Sequence, residues 1–141
     1  QSSMVDLVAQ GLAGELPSQA DWDERPVLGI VIASKGYPET SSKGDVISGL
    51  PELGSDDSVV KVFHAGTDFA HKNESNTDNA DTSADNDKEI VTNGGRVLCV
   101  TALADSILEA QQAALAVTGA ISFDGAHYRR DIGYQAIARS E

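Results

Sequence analysis

A single cysteine in 141 residues rules out an intrachain disulfide, so a packed core must hold the fold without covalent staples. Cys99 lies in an apolar run with no base beside it, which marks it as a core residue and not a nucleophile. Positive charge is also scarce. Ten Lys and Arg stand against 22 Asp and Glu, a net charge of −12, and such a chain lacks the basic surface that neutralises nucleic-acid phosphates. Long hydrophobic runs are missing: none approaches the ~20 residues that span a bilayer, and no basic-then-apolar leader pattern opens the chain. A cytoplasmic protein with neither nucleic acid nor membrane as partner is expected. There is no Walker loop, no dinucleotide fingerprint and no nucleophile with a partnered base. His64, His71 and His127 fall in no metal-ligand frame, so no metal site and no catalytic residue is read from the chain.

What is present is 40% hydrophobic content distributed in short runs, enough for one domain with a core and a fringe. Val5, Val8, Ala9 and Leu12 recur at helical spacing, predicting a helix over 3–13 that starts at Ser2 or Ser3 and stops at Gly14. A polar linker follows, with Trp22 as its packing anchor. Val27 to Ala33 is a nearly continuous apolar run and reads as a central strand. Further strands are expected at 45–47, 59–64, 89–92, 96–102 and 120–123. Ser106 and Glu109 stand three apart as a capping box requires, opening the main helix over 105–118 before a turn at Gly119. The expected fold class is α+β, a mainly antiparallel sheet or small barrel with one main packing helix, the N-terminal helix packing on the sheet edge. From 69 to 88, Asn, Asp, Ser and Thr dominate and read as a disordered acidic insertion. Its Asp78, Asp81, Asp85 and Asp87 lack the spacing of a calcium loop.

The few cations have an uneven distribution. Lys35, Lys43, Arg96, Arg129 and Arg130 all lie in or beside glycine turns that flank the expected core strands, while carboxylates gather in the linker, the insertion and the loop tips. This segregation predicts a local cationic pocket in an acidic body, suited to a phosphate-bearing small molecule. Gly94 and Gly95 precede Arg96 and allow close backbone approach to a ligand. The loop with Tyr37 also reads as a plain solvated turn, and Arg130 beside Asp131 also reads as an ion pair that holds down the C-terminal segment. Residues alone lead to a sugar-phosphate or nucleotide-phosphate site and to no reaction.

Five ordered motifs carry a resemblance. Gly36-Tyr37-Pro38, Lys43-Gly44-Asp45-Val46-Ile47 with Gly49-Leu50-Pro51, Val62-Phe63-His64-Ala65-Gly66-Thr67, Asn93-Gly94-Gly95-Arg96-Val97-Leu98 and Tyr128-Arg129-Arg130-Asp131-Ile132-Gly133 together resemble glycinamide ribonucleotide synthetase, the phosphoribosylamine:glycine ligase family. The match covers only that family's C-terminal third. It implies that 1–25 are the last helix of an ATP-grasp domain plus a linker, and that 26–141 are a barrel-sandwich-hybrid-like C-terminal domain. The family joins glycine to 5-phosphoribosylamine in purine biosynthesis, using ATP and magnesium or manganese. Its ATP, metal and glycine ligands would lie upstream of Gln1, so this chain would bind none of these cofactors and show no ligase activity alone. Its partners would be the small-molecule substrates and the rest of the same polypeptide. By resemblance Arg96, Asn93 and Gly95 form a grip for the substrate's 5′-phosphate, with Lys43, Tyr37, Arg129 and Arg130 next in rank. Departures stand at Lys35, where the family usually has glycine, at Ser41, usually aromatic, and at Gln135, commonly arginine. A different class of function, a stand-alone non-catalytic module that captures a phosphorylated metabolite on the same fold, uses the same pocket.

Overall fold

The computed structural model describes residues 2–52, 59–70 and 89–140. The acidic tip at 55–58 and the expected insertion, apart from Phe69 and Ala70, lie outside the described residues. Helix α1 (Met4–Ala13) is followed by strands β1 (Val27–Ala33), β2 (Lys43–Val46), β3 (Val60–His64), β4 (Thr67–Phe69), β5 (Ile90–Asn93) and β6 (Arg96–Leu103), then by helices α2 (Ile107–Ala120) and α3 (Tyr134–Ser140). The class is α+β, with every strand pairing antiparallel. The strands form two three-stranded sheets, ordered β1-β6-β3 and β2-β5-β4.

The division has a local cause. His64 to Thr67 and Asn93 to Arg96 each carry the chain from one sheet to the other, and they cross at glycine. A Cβ on Gly66 would stand 2.8 Å from the Arg96 carbonyl oxygen and 3.0 Å from the Gly94 Cα, so only glycine permits this backbone approach. The Asn93 N–H donates to the Gly66 oxygen at 2.7 Å and fastens the corner.

The core lies between the first sheet and α2. Leu28, Ile30 and Ile32 alternate inward along β1 and face Ala102, Val100 and Leu98 of β6 in register. Ala110, Ala114 and Thr118 form the buried stripe of α2, and the two alanines let the helix axis come close to the sheet. Each buried Ile, Leu or Val stabilises by about 1.5–3 kcal/mol relative to exposure. The Thr118 hydroxyl, fully buried, donates to the Ala114 carbonyl at 2.7 Å and is thereby satisfied. At the start of α2 the Ser106 Oγ accepts from the Glu109 N–H at 3.2 Å, as its capping pattern predicts.

Several expectations need correction. The helix does not turn at Gly119; it runs to Ala120, and the buried side chain of Ile121 draws the chain into the core with its N–H on the Thr118 oxygen. Residues 120–123 alternate as a strand does, with Ile121 and Phe123 buried, but find only a single bridge, Ser48 with Ser122. β4 and α3 were not expected; Phe69, counted with the insertion, pairs with Ile90. α1 has its Ser3 cap and its left-handed Gly14 stop, but none of its residues is buried against the sheet edge. Trp22, expected as a packing anchor, is 57% exposed.

Candidate functional site

The glycine corner and the loop after β1 create a cleft of about 530 Å³ at one end of the first sheet. Its lining is largely apolar: Val31, Cys99, Ala65, Gly66 and the fully buried Leu98, together with Tyr37, Gly95 and Arg96. A shift of register between Ile32 and Ala33 sets Ala33 opposite Arg96 and leaves Val97 as the extra residue of β6. Bulges of this kind re-aim side chains at sheet rims, and here the guanidinium-bearing residue sits at the cleft mouth.

The loop after β1 is tied to the β5–β6 turn. The N–H of Ser34, a fully buried residue, donates to the Gly95 oxygen at 2.9 Å. The Tyr37 ring then packs close against Gly95. A Cβ at Gly95 would be 2.5 Å from Tyr37 Cδ2, so glycine gives the ring its seat. Among the described residues no hydrogen-bond or ion-pair partner is seen for the Arg96 side chain, and Arg96 is exposed in a chain of net charge −12. An unpaired guanidinium beside an apolar lining offers a fork of donors to a phosphate or carboxylate.

Of the expected site residues, the cleft brings together Arg96, Gly95 and Tyr37. Lys43 and Asn93 are cross-strand partners on the neighbouring sheet. They do not line the cleft, and the Asn93 amide donates to the Asp68 carboxylate at 3.1 Å. Arg129 and Arg130 lie elsewhere. Arg129, not Arg130, holds Asp131, through a two-point contact of 2.9 and 2.8 Å. Hydrogen bonding to Arg129 lowers the Asp131 carboxyl below its ordinary range, and the same contact raises the Arg129 guanidinium. Arg130 instead stands 5.7 Å from the Tyr128 ring centroid. Arg129 and Asp131, with Tyr134 and Arg139, line a second hollow. Lys35 faces Asp124 at 3.6 Å. The single five-cation pocket read from the sequence is thus dispersed, with Arg96 alone of the five in the cleft.

The lining residues Val31, Leu98 and Cys99 were not anticipated. Cys99 is half-buried on the outer side of β6, not in the core, and burial pushes its thiol up, so it stays protonated. Among the described residues no group of three or more His, Cys, Asp or Glu side chains is placed to hold a metal ion. No described helix is long and apolar enough to cross a membrane.

Fold and cleft together define an α+β domain of two antiparallel sheets with an arginine-lined cleft beside the glycine corner. The family model described as phosphoribosylglycinamide synthetase, C domain, matches residues 27–135. The chain belongs to this family. It is 46% identical over 142 aligned residues to a phosphoribosylamine–glycine ligase of Vibrio parahaemolyticus, covering 100% of this chain and 29% of the relative. The corresponding ligase of Pseudomonas aeruginosa is 45% identical across 99% of this chain and 28% of its own length. The crystal structure of phosphoribosylamine–glycine ligase from Thermotoga maritima superposes with a TM-score of 0.66 at 31% identity, over 91% of this chain and 27% of that one. The chain therefore spans under a third of the length of the relatives it matches.

Proposed function

We propose that this chain is the C-terminal part of an ATP-dependent carbon–nitrogen ligase that joins glycine to 5-phosphoribosylamine in the cytoplasm, and that its cleft is the wall receiving the phosphoribosyl group. The observation that carries this reading is the unpaired guanidinium of Arg96 at the mouth of an apolar cleft. The names of the relatives support it.

In this reading Arg96 binds the 5′-phosphate by charge-assisted hydrogen bonds, which strengthen where apolar walls keep water out. Tyr37, seated on Gly95, closes the side of the cleft and presents its hydroxyl near the phosphate. Asn93 and Lys43 add polarity along the neighbouring sheet, and Arg129 and Arg130 act at longer range. Binding here orients the substrate amine for attack elsewhere in the ligase. In this reading ATP and its divalent cation bind the rest of the ligase polypeptide. By itself the chain is expected to bind ribose 5-phosphate without turnover.

Arg96→Ala in the full ligase is the test. Loss of a charge-assisted contact worth about 1.5–3 kcal/mol raises KM for phosphoribosylamine roughly 10–100-fold, with KM for ATP and glycine little changed. An unchanged KM for phosphoribosylamine refutes the assignment.

A further inference from the structure

Tyr37 and Arg96 reach the cleft from different segments, and the loop that carries Tyr37 is fastened at both ends to the β5–β6 segment that carries Arg96. At its start the Ser34 N–H donates to the Gly95 oxygen at 2.9 Å. At its end stands a network of two hydroxyls and a carboxylate. The Ser42 hydroxyl donates to Asp45 Oδ2, the Thr92 hydroxyl donates to the same oxygen at 3.1 Å, and Thr92 Oγ1 accepts from the Asp45 N–H at 3.1 Å. Thr92 lies in β5 and is only 1% exposed, so these two bonds fix the direction of its hydroxyl. Gly95 follows shortly after it in the chain. Between the two anchors the loop closes on itself. The Tyr37 N–H donates to the Ser34 oxygen at 3.2 Å and the Thr40 N–H to the Gly36 oxygen at 3.0 Å. Gly36 takes left-handed backbone with φ 85°, and a Cβ there would strike the Thr40 hydroxyl, so the turn that sets Tyr37 is tight.

We propose that Asp45 is a positioning residue for the phosphoribosyl cleft, acting through Ser42 and Tyr37, a role that rests on the function proposed above. Asp45 does not itself line the cleft. It ties the exit of the loop to Thr92, so that the Tyr37 ring stays on its Gly95 seat beside Arg96. A ring held in place before the ligand arrives adds no ordering cost to binding. With the tie at Ser42 cut, the loop keeps its Ser34 anchor but its exit is free to swing, and the cost of ordering it falls on substrate binding. Both side-chain bonds converge on one oxygen, Oδ2. Position, not charge, is therefore what Asp45 supplies, and an asparagine amide oxygen in the same place accepts both protons.

Ser42→Ala in the full ligase cuts the loop from the network while sparing the Asp45–Thr92 contacts and the β2–β5 pairing. It is expected to raise KM for phosphoribosylamine about 3–10-fold, with kcat and the KM values for ATP and glycine within about twofold. Asp45→Ala is expected to do the same, and Asp45→Asn to keep KM within about twofold of the unaltered ligase. In a Tyr37→Ala background Ser42→Ala is expected to add nothing, because the ring it steadied is gone. An unchanged KM for phosphoribosylamine in Ser42→Ala overturns the proposal, as does an equal rise with and without Tyr37, or an Asp45→Asn variant as impaired as Asp45→Ala. Arg96→Ala separates this role from the reading beneath it. A rise in KM there with none in Ser42→Ala removes the role of Asp45 alone, whereas silence of Arg96→Ala removes the phosphate site itself.

Discussion

Replacing Gly95 by alanine tests whether the Tyr37 ring is seated on that glycine. The backbone at Gly95 is outside the left-handed region, so alanine meets no conformational penalty there, but its Cβ would be 2.5 Å from Tyr37 Cδ2 and 3.1 Å from Cε2. Ordinary contact begins near 3.4 Å, and the ring must move. A tyrosine buries roughly 150–250 Å², and at 39% exposure Tyr37 keeps about 120 Å² from water, an upper bound of about 3 kcal/mol at ~25 cal/mol per Å². Partial eviction, offset by the lower chain entropy of unfolded alanine, predicts a net loss of about 1–2 kcal/mol. In a chain of this size that lowers Tm by about 3–8 °C. Urea unfolding of Gly95→Ala, Tyr37→Ala and the double variant supplies the assay. With Tyr37 already removed, Gly95→Ala is expected to be neutral or to stabilise by about 0.5 kcal/mol. An equal loss with and without the ring refutes the reasoning.

Other perturbations follow from the same geometry. Ser106→Ala removes the oxygen that accepts from the Glu109 N–H and is expected to destabilise by about 1 kcal/mol, read as a lower urea midpoint with unchanged slope. Arg129→Ala should raise the Asp131 carboxyl towards the ordinary aspartate range in an NMR titration, whereas Arg130→Ala should leave it in place; the reverse pattern would restore the neighbour pairing read from the sequence. Because the folded Asp131 carboxyl is lowered, any stability the contact gives is present above the unfolded aspartate value of about 3.9 and is lost as pH falls through the folded one.

Legibility from sequence followed the strength of the local signal. The run Val27 to Ala33 emerges as β1 with the same bounds, because a short, nearly continuous apolar run rich in Val and Ile has few alternatives to a buried strand. The Ser106 cap emerges because its chemistry lies within one turn. β4 and α3 span only three and seven residues, too few for periodicity to stand out. Residues 120–123 show the converse failure: their alternation reports real burial, but a strand also needs a partner, and only Ser48 is there. The cleft was legible in part. Arg96 and Tyr37 were named for their loops, but their meeting depends on the Ser34–Gly95 tie between distant segments. The apolar lining went unread because Val31 and Cys99 become neighbours only through the register of β1 with β6.

The crossing of Gly66 over Gly94 also bears on how such a domain could be redesigned. A side chain at Gly66 would press on the Arg96 carbonyl oxygen, so the corner that aims Arg96 leaves its backbone little room to change. Tyr37 and Arg96 line the cleft beside it, and their side chains are open to exchange. New ligand preferences are therefore reached by changing what the corner carries while the corner itself is left alone, which makes this small joint a chassis and its two neighbours the interchangeable fittings.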